Sequence, residues 1–262
     1  MLEVAIAIII GIGVGVIVGV LGAGGGILAV PALAYLLHQS PHAAATGSLV
    51  IVLATAAVAL PGKIKRGQIR FREGVFFGSI CVVGSFIGAR LSAYVHGHVL
   101  MALFAAMLAI MCIVMFREGL KQRGGDEQII EQRHSKGFAV IAIAALSTGF
   151  LTGFFGVGGG FMVVPVLTLV LAFSMREATG TSLLIMIMAA ATGLVSRYGQ
   201  TIDIDWPIVF GFMFGSMGGG LLGGPLSNKA KTHQLTLIFA VLLAVVAVST
   251  GATVAYQVLY GS

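Results

Sequence analysis

Gly19-x-x-Gly22-x-Gly24-Gly25-Gly26, followed by Val30-Pro31-x-Leu33, is written into this chain twice. A shift of 134 residues lays Gly15–Leu49 over Gly149–Leu183 without a gap. The second copy reads Gly153-x-x-Gly156-x-Gly158-Gly159-Gly160 and Val164-Pro165-x-Leu167. Ser40, Ala44 and Ser48-Leu49 match Ser174, Ala178 and Ser182-Leu183 in the same overlay. Apolar segments interrupted at corresponding glycines in two halves of a chain point to the binding site of a transporter built by duplication.

The surroundings of the repeat are those of a membrane protein. Of the 262 residues, 58% are hydrophobic and 9% charged, whereas a soluble domain carries about 25% charged residues. Several apolar runs approach the ~20 residues that cross a bilayer as helix. Runs such as Val99–Met115 do not alternate, which argues against the period of two of an outer-membrane barrel. The expected class is an all-α integral membrane protein. The net charge of +6 sits in short loops, where it orients the chain in the membrane rather than binding nucleic acid. Cys81 and Cys112 lie in apolar runs without a partnering motif and read as packing residues.

Working outward, Val4–Leu21 is a helix that stops at Gly22–Gly26, and Ile27–Leu37 is a short second arm. Tandem glycines allow the tight reversal between them. The arm crosses the membrane or reaches part way in; both remain open. Ser40-Pro41 is a helix start, with Ser as cap and Pro at the first position. Its mate Ser174-x-x-Glu177 is a capping box. Helices follow over Pro41–Leu60 and Met175–Val195. Pro61–Glu73 reads as a basic loop holding Lys63, Lys65, Arg66, Arg70 and Arg72, and Arg197, Asp203 and Asp205 fall in its counterpart. Further spans are expected at Gly74–Tyr94, Val99–Phe116, Trp206–Leu226 and Leu235–Leu259. The chain thus divides into a first half, residues 1–116, a polar cytoplasmic linker, 117–136, and a second half, 137–262. Each half holds a glycine-broken helical hairpin plus three transmembrane helices.

Basic residues decide the orientation. With the halves inverted, the Pro61–Glu73 loop, the linker, Arg176 and the Lys229/Lys231 loop fall inside, and Asp203, Asp205 and both termini fall outside. That satisfies the positive-inside rule, and parallel halves do not.

The chemistry expected at the breaks is anion binding. Gly24, Gly25, Gly26 and Gly158, Gly159, Gly160 leave backbone N–H groups unshielded just where a helix begins, an arrangement that attracts anions. Thr46, Ser48, Thr181 and Ser182 lie two turns into the next helices and supply hydroxyl donors. The competing reading is structural: glycine for close packing, and hydroxyls bonded back to a carbonyl one turn earlier. Arg90, at the end of a span, and His42, beside the first helix start, are secondary candidates. Arg90 more simply snorkels toward the interface. No metal ligands, cofactor fingerprint, Walker motif or catalytic constellation is present in the sequence.

The duplicated G-x-x-G-x-G-G-G-x-x-x-V-P, with Ala178-Thr-Gly-Thr-Ser-Leu183 after its second copy, resembles the TauE/SafE family of sulfite exporters. The first copy departs as Ala44-Ala-Thr-Gly-Ser-Leu49. The resemblance implies a multispanning inner-membrane permease for sulfur-containing anions such as sulfite, sulfoacetate or organosulfonates. The partners expected are the bilayer, a small anionic sulfur-containing solute and, as an open option, a second copy in a homodimer. An uncoupled anion channel and a membrane assembly factor without a transported solute remain the alternatives.

Overall fold

The computed structural model describes residues 2–21, 26–123, 137–158, 160–200, 202–226 and 232–260. All regular structure in them is helical, and seven helices are long and apolar enough to cross a membrane. In chain order α1 is Leu2–Leu21; α2 is Gly26–Pro31, continued by a π-helical turn Ala32–Leu36; α3 is Pro41–Lys65; α4 is Phe71–Ser92; and α5 is Gly97–Arg123. The second half repeats the order: α6 Phe138–Phe155, α7 Gly160–Val170, α8 Met175–Arg197, α9 Trp206–Leu226 and α10 Thr232–Tyr260. At ~1.5 Å per residue α7, and α2 together with its π-helical turn, reach roughly half of a ~30 Å hydrocarbon core.

Local chemistry sets these boundaries. Ser40 caps α3 by accepting the Ala43 N–H at 3.2 Å, with Pro41 at the first position. Ser174 and Glu177 close a full capping box on α8. Before each cap the chain reverses through a residue at positive φ: His38 at 52° and Ala172 at 57°. These are equivalent positions, so the duplication extends to an uncommon backbone state. Several expected boundaries move: α4 begins at Phe71 rather than Gly74, and α8 continues past Val195 to Arg197. α3 runs through Pro61 to Lys65 rather than ending at Leu60. α5 continues past Phe116 to Arg123. Pro61 fits inside α3 at the cost of one intrahelical hydrogen bond.

The packing is symmetric under exchange of the halves. α1 lies along α9, and its mate α6 lies along α4. α3 packs on α8 and α5 on α10, each helix against its own mate. Glycine makes the first kind of contact possible. A Cβ at Gly15 would strike the Ser216 backbone, and one at Gly149 the Cys81 backbone. Such close backbone approach is how membrane helices associate without a hydrophobic driving force between them. The mate pairs run antiparallel: the start of α3 meets the end of α8 at Thr46 and Arg197, and the end of α3 meets the start of α8 at Lys63 and Thr179.

Candidate functional site

Among the described residues, Gly26 at the close of the first break lies against Val157 of the second. α6 ends at Gly156, in the left-handed region at φ 70°, whose N–H bonds the Thr152 carbonyl at 3.0 Å. A Cβ there would collide with the Ala45 carbonyl of α3. Ser48 of α3 donates its hydroxyl to the Gly156 carbonyl and also lies 3.0 Å from the Ala45 carbonyl. Gly26, the first residue of α2, sits directly on the Val157 carbonyl. Gly158, at φ 68°, faces Val52 of α3. Gly160 opens α7 and is buried. Gly24, Gly25 and Gly159 lie outside the described residues.

The four candidate hydroxyls do not form one cluster. Ser48 is committed to the Gly156 break. Ser182 is fully buried and donates to the Thr179 carbonyl at 3.0 Å. Thr181 lies toward the end of the molecule that holds Lys63, where it accepts the Arg70 backbone N–H at 3.1 Å. Thr46 lies toward the opposite end. Its hydroxyl donates to the His42 carbonyl at 2.9 Å and accepts from Nη1 of Arg197 at 3.0 Å.

Arg197 is the group around which this end is built. It ends α8, and 4% of it is exposed. Nη2 donates to Ser92 Oγ at 3.2 Å and to the Gly153 carbonyl at 3.0 Å. That carbonyl belongs to the last turn of α6 and has no partner further along its own helix. α3, α4, α6 and α8 therefore converge on one guanidinium. Every acceptor it touches is neutral, and Nε finds no partner among the described residues. The only ion pair among the described residues is Arg70–Glu177, toward the far end. A buried charge left uncompensated costs several kcal/mol. Here the C-terminal dipole of α6 offsets part of that cost.

A cleft of about 440 Å³ opens above this site, lined by Ser40, His42, Ala93, Gln200 and Asp203 among others. His42 lines the cleft, lies within electrostatic reach of Arg197 and bonds to the Val95 backbone. A second cleft of about 660 Å³ adjoins it across Ser40 and Asp203. Arg90 is elsewhere: it is exposed, with its guanidinium 5.6 Å from the Phe86 ring centre.

Arg197, Ser92 and the buried Lys63 are the groups that sequence reasoning left out. Arg197 and Lys63 were expected in loops, and the longer helices carry both inside. One signal was available: the 134-residue shift, carried past Leu49, places Lys63 on Arg197. Nothing in the sequence singled out Ser92.

The model of the family described as sulfite exporter TauE/SafE matches residues 7–250. A probable membrane transporter protein of Xylella fastidiosa is 32% identical over 236 residues, covering 88% of each chain. The probable membrane transporter protein YdhB of Bacillus subtilis is 30% identical, over 68% of this chain and 71% of its own. YunE of the same organism, also a probable membrane transporter protein, is 24% identical over 85% of this chain and 88% of its own. No solved structure matches significantly.

Proposed function

The chain belongs to the sulfite exporter TauE/SafE family, and from that membership we propose that it is a secondary transporter that exports small sulfur-containing oxyanions along the α3/α8 interface. The family is one of membrane transporters, not enzymes. The observation that carries the proposal is Arg197: a buried guanidinium with neutral partners only and an unbonded Nε. A group of that kind is stabilised by an anion, and a guanidinium matches planar or tetrahedral oxyanions through paired N–H donors. Thr46 and His42 add polar contacts at the same place. The glycine breaks let α2, α3 and the end of α6 come close enough to seal the middle of the path.

Sulfite, titrated calorimetrically into detergent-purified protein, is expected to bind, and dimethyl sulfone, a neutral molecule of similar shape, is not. Equal binding of the two would remove the anion site. Failure of both to bind, with no solute-induced thermal stabilisation, would favour an assembly factor. Sulfite flux driven against its gradient separates a transporter from a channel.

The antiparallel mates support inverted halves, with the linker inside and the termini outside an inner or plasma membrane. In a background lacking Cys81 and Cys112, single cysteines replacing Ser135 and Ser227 should label from the cytoplasm, and one replacing Thr201 from outside. Outside labelling at position 227 would revive parallel halves.

A further inference from the structure

Resting on the oxyanion reading, we propose that Lys63 forms a second anion-binding station at the opposite end of the α3/α8 pair, occupied by the transported oxyanion in alternation with the Arg197 station. Lys63 and Arg197 stand at equivalent positions of the repeat, each in the last turn of its helix. Lys63 is 5% exposed and Arg197 4%. The partner found for the Lys63 ammonium is a neutral one, Thr179 Oγ1 at 3.5 Å.

Further positive charge lies near Lys63. Arg66 and Arg176 lie within electrostatic reach of it. Arg176 is the repeat mate of His42, which stands against Arg197. Each end of the α3/α8 pair thus holds a buried cation with a second basic residue at the equivalent place. The carboxylate in the first turn of α8 does not neutralise Lys63. Glu177 Oε1 is held by Arg70 at 2.8 and 2.9 Å, and Oε2 by the N–H and hydroxyl of Ser174 at 3.0 and 2.9 Å. A lysine serving only the fold gains nothing from added cations nearby. A lysine awaiting an oxyanion does, because each of them attracts the ligand.

The two ends differ in what surrounds them. Both clefts described above open at the Arg197 end. At the Lys63 end the 66–70 loop is laid on α8: Gln68 presses its carbonyl on Gly180, Arg70 N–H bonds Thr181, and the Arg70–Glu177 pair crosses between loop and helix. Among the described residues the Arg197 end thus carries these clefts and the Lys63 end this loop contact, and both cations are buried. Exchange of the two conditions is what alternating access between symmetric halves requires.

The test is sidedness. Labelled sulfite uptake is measured in right-side-out and inside-out membrane vesicles, so that each face is presented in turn. Lys63→Gln is expected to raise the half-saturating sulfite concentration at least about tenfold on the face that carries Lys63, the loss of one charged hydrogen bond, and to leave the other face within about twofold. Arg197→Gln should do the reverse, and Lys63→Arg should retain most of the affinity. An effect of Lys63→Gln on neither face or equally on both overturns the second station. So does a Lys63→Arg protein as defective as Lys63→Gln, which would make the lysine a structural post. If Arg197→Gln alone acts, the oxyanion reading stands and the second station falls. If wild type carries no sulfite, or both substitutions are silent, the oxyanion reading falls and the second station with it.

Discussion

Arg197→Gln is expected to weaken sulfite binding by at least about 100-fold, or ~2.8 kcal/mol. A hydrogen bond to a charged group contributes roughly 1.5–3 kcal/mol, and Gln replaces a cationic fork with one neutral amide. Arg197→Lys should fall between, since an ammonium keeps the charge but cannot hold Thr46, Ser92 and Gly153 in one plane. Two readouts separate ligand binding from scaffolding. Without anion, the Gln variant should unfold at nearly the wild-type temperature, because removing an unneutralised buried charge offsets the lost bonds to neutral acceptors. With sulfite, the wild type should be stabilised and the variant not. A large fall in melting temperature that is the same with and without anion would mean that Arg197 only ties off the end of α6. Wild-type affinity in the variant would end its candidacy as the anion group.

The second large effect is expected at Gly26. Gly26→Ala places a methyl group on the Val157 carbonyl, a backbone atom that can yield only if α2 or the second break moves. Overpacking of this kind costs typically ~1–3 kcal/mol, occasionally more. Gly26 should lie at the top of that range, because a main-chain atom cannot rotate away as a side chain can. Gly13→Ala is the control: nothing lies within 4 Å of the added carbon, and helix propensity favours Ala by about 1 kcal/mol. Thermal unfolding and gel filtration in detergent should show Gly26→Ala unstable or polydisperse and Gly13→Ala at least as stable as wild type. If the two variants melt together, the contact between the breaks is not a fixed feature of the native state.

The breaks were legible in the sequence because glycine clusters have few other uses in a membrane helix. The helix starts were legible too: Ser40-Pro41 and Ser174-x-x-Glu177 name their own hydrogen bonds, and the structure forms them. Lys63 and Arg197 were harder. A cation near the end of an apolar run ordinarily reaches outward to the interface, and Arg90 is exposed over Phe86. Only the approach of α4 and α6 to the end of α8 turns Arg197 inward. That approach is a tertiary fact, with no local signature. The hydroxyls illustrate the same limit. The overlay pairs Ser48 with Ser182, but an antiparallel pair sends Thr46 and Thr181 to opposite ends.

The α1/α9 contact has a consequence for how the protein is made. α1 leaves the ribosome before every other helix described, yet the backbone groove that accepts its glycines belongs to Phe212, Ser216 and Gly220 of α9. α4 and α6, the equivalent pair, are separated by one helix and the linker, and can dock much earlier. Pairings so unequal in sequence separation close at unequal speed. Two structurally matched interfaces thus acquire different histories, and α1 must wait with a bare glycine face until α9 has been translated. Biogenesis is sequential even though the finished molecule is symmetric.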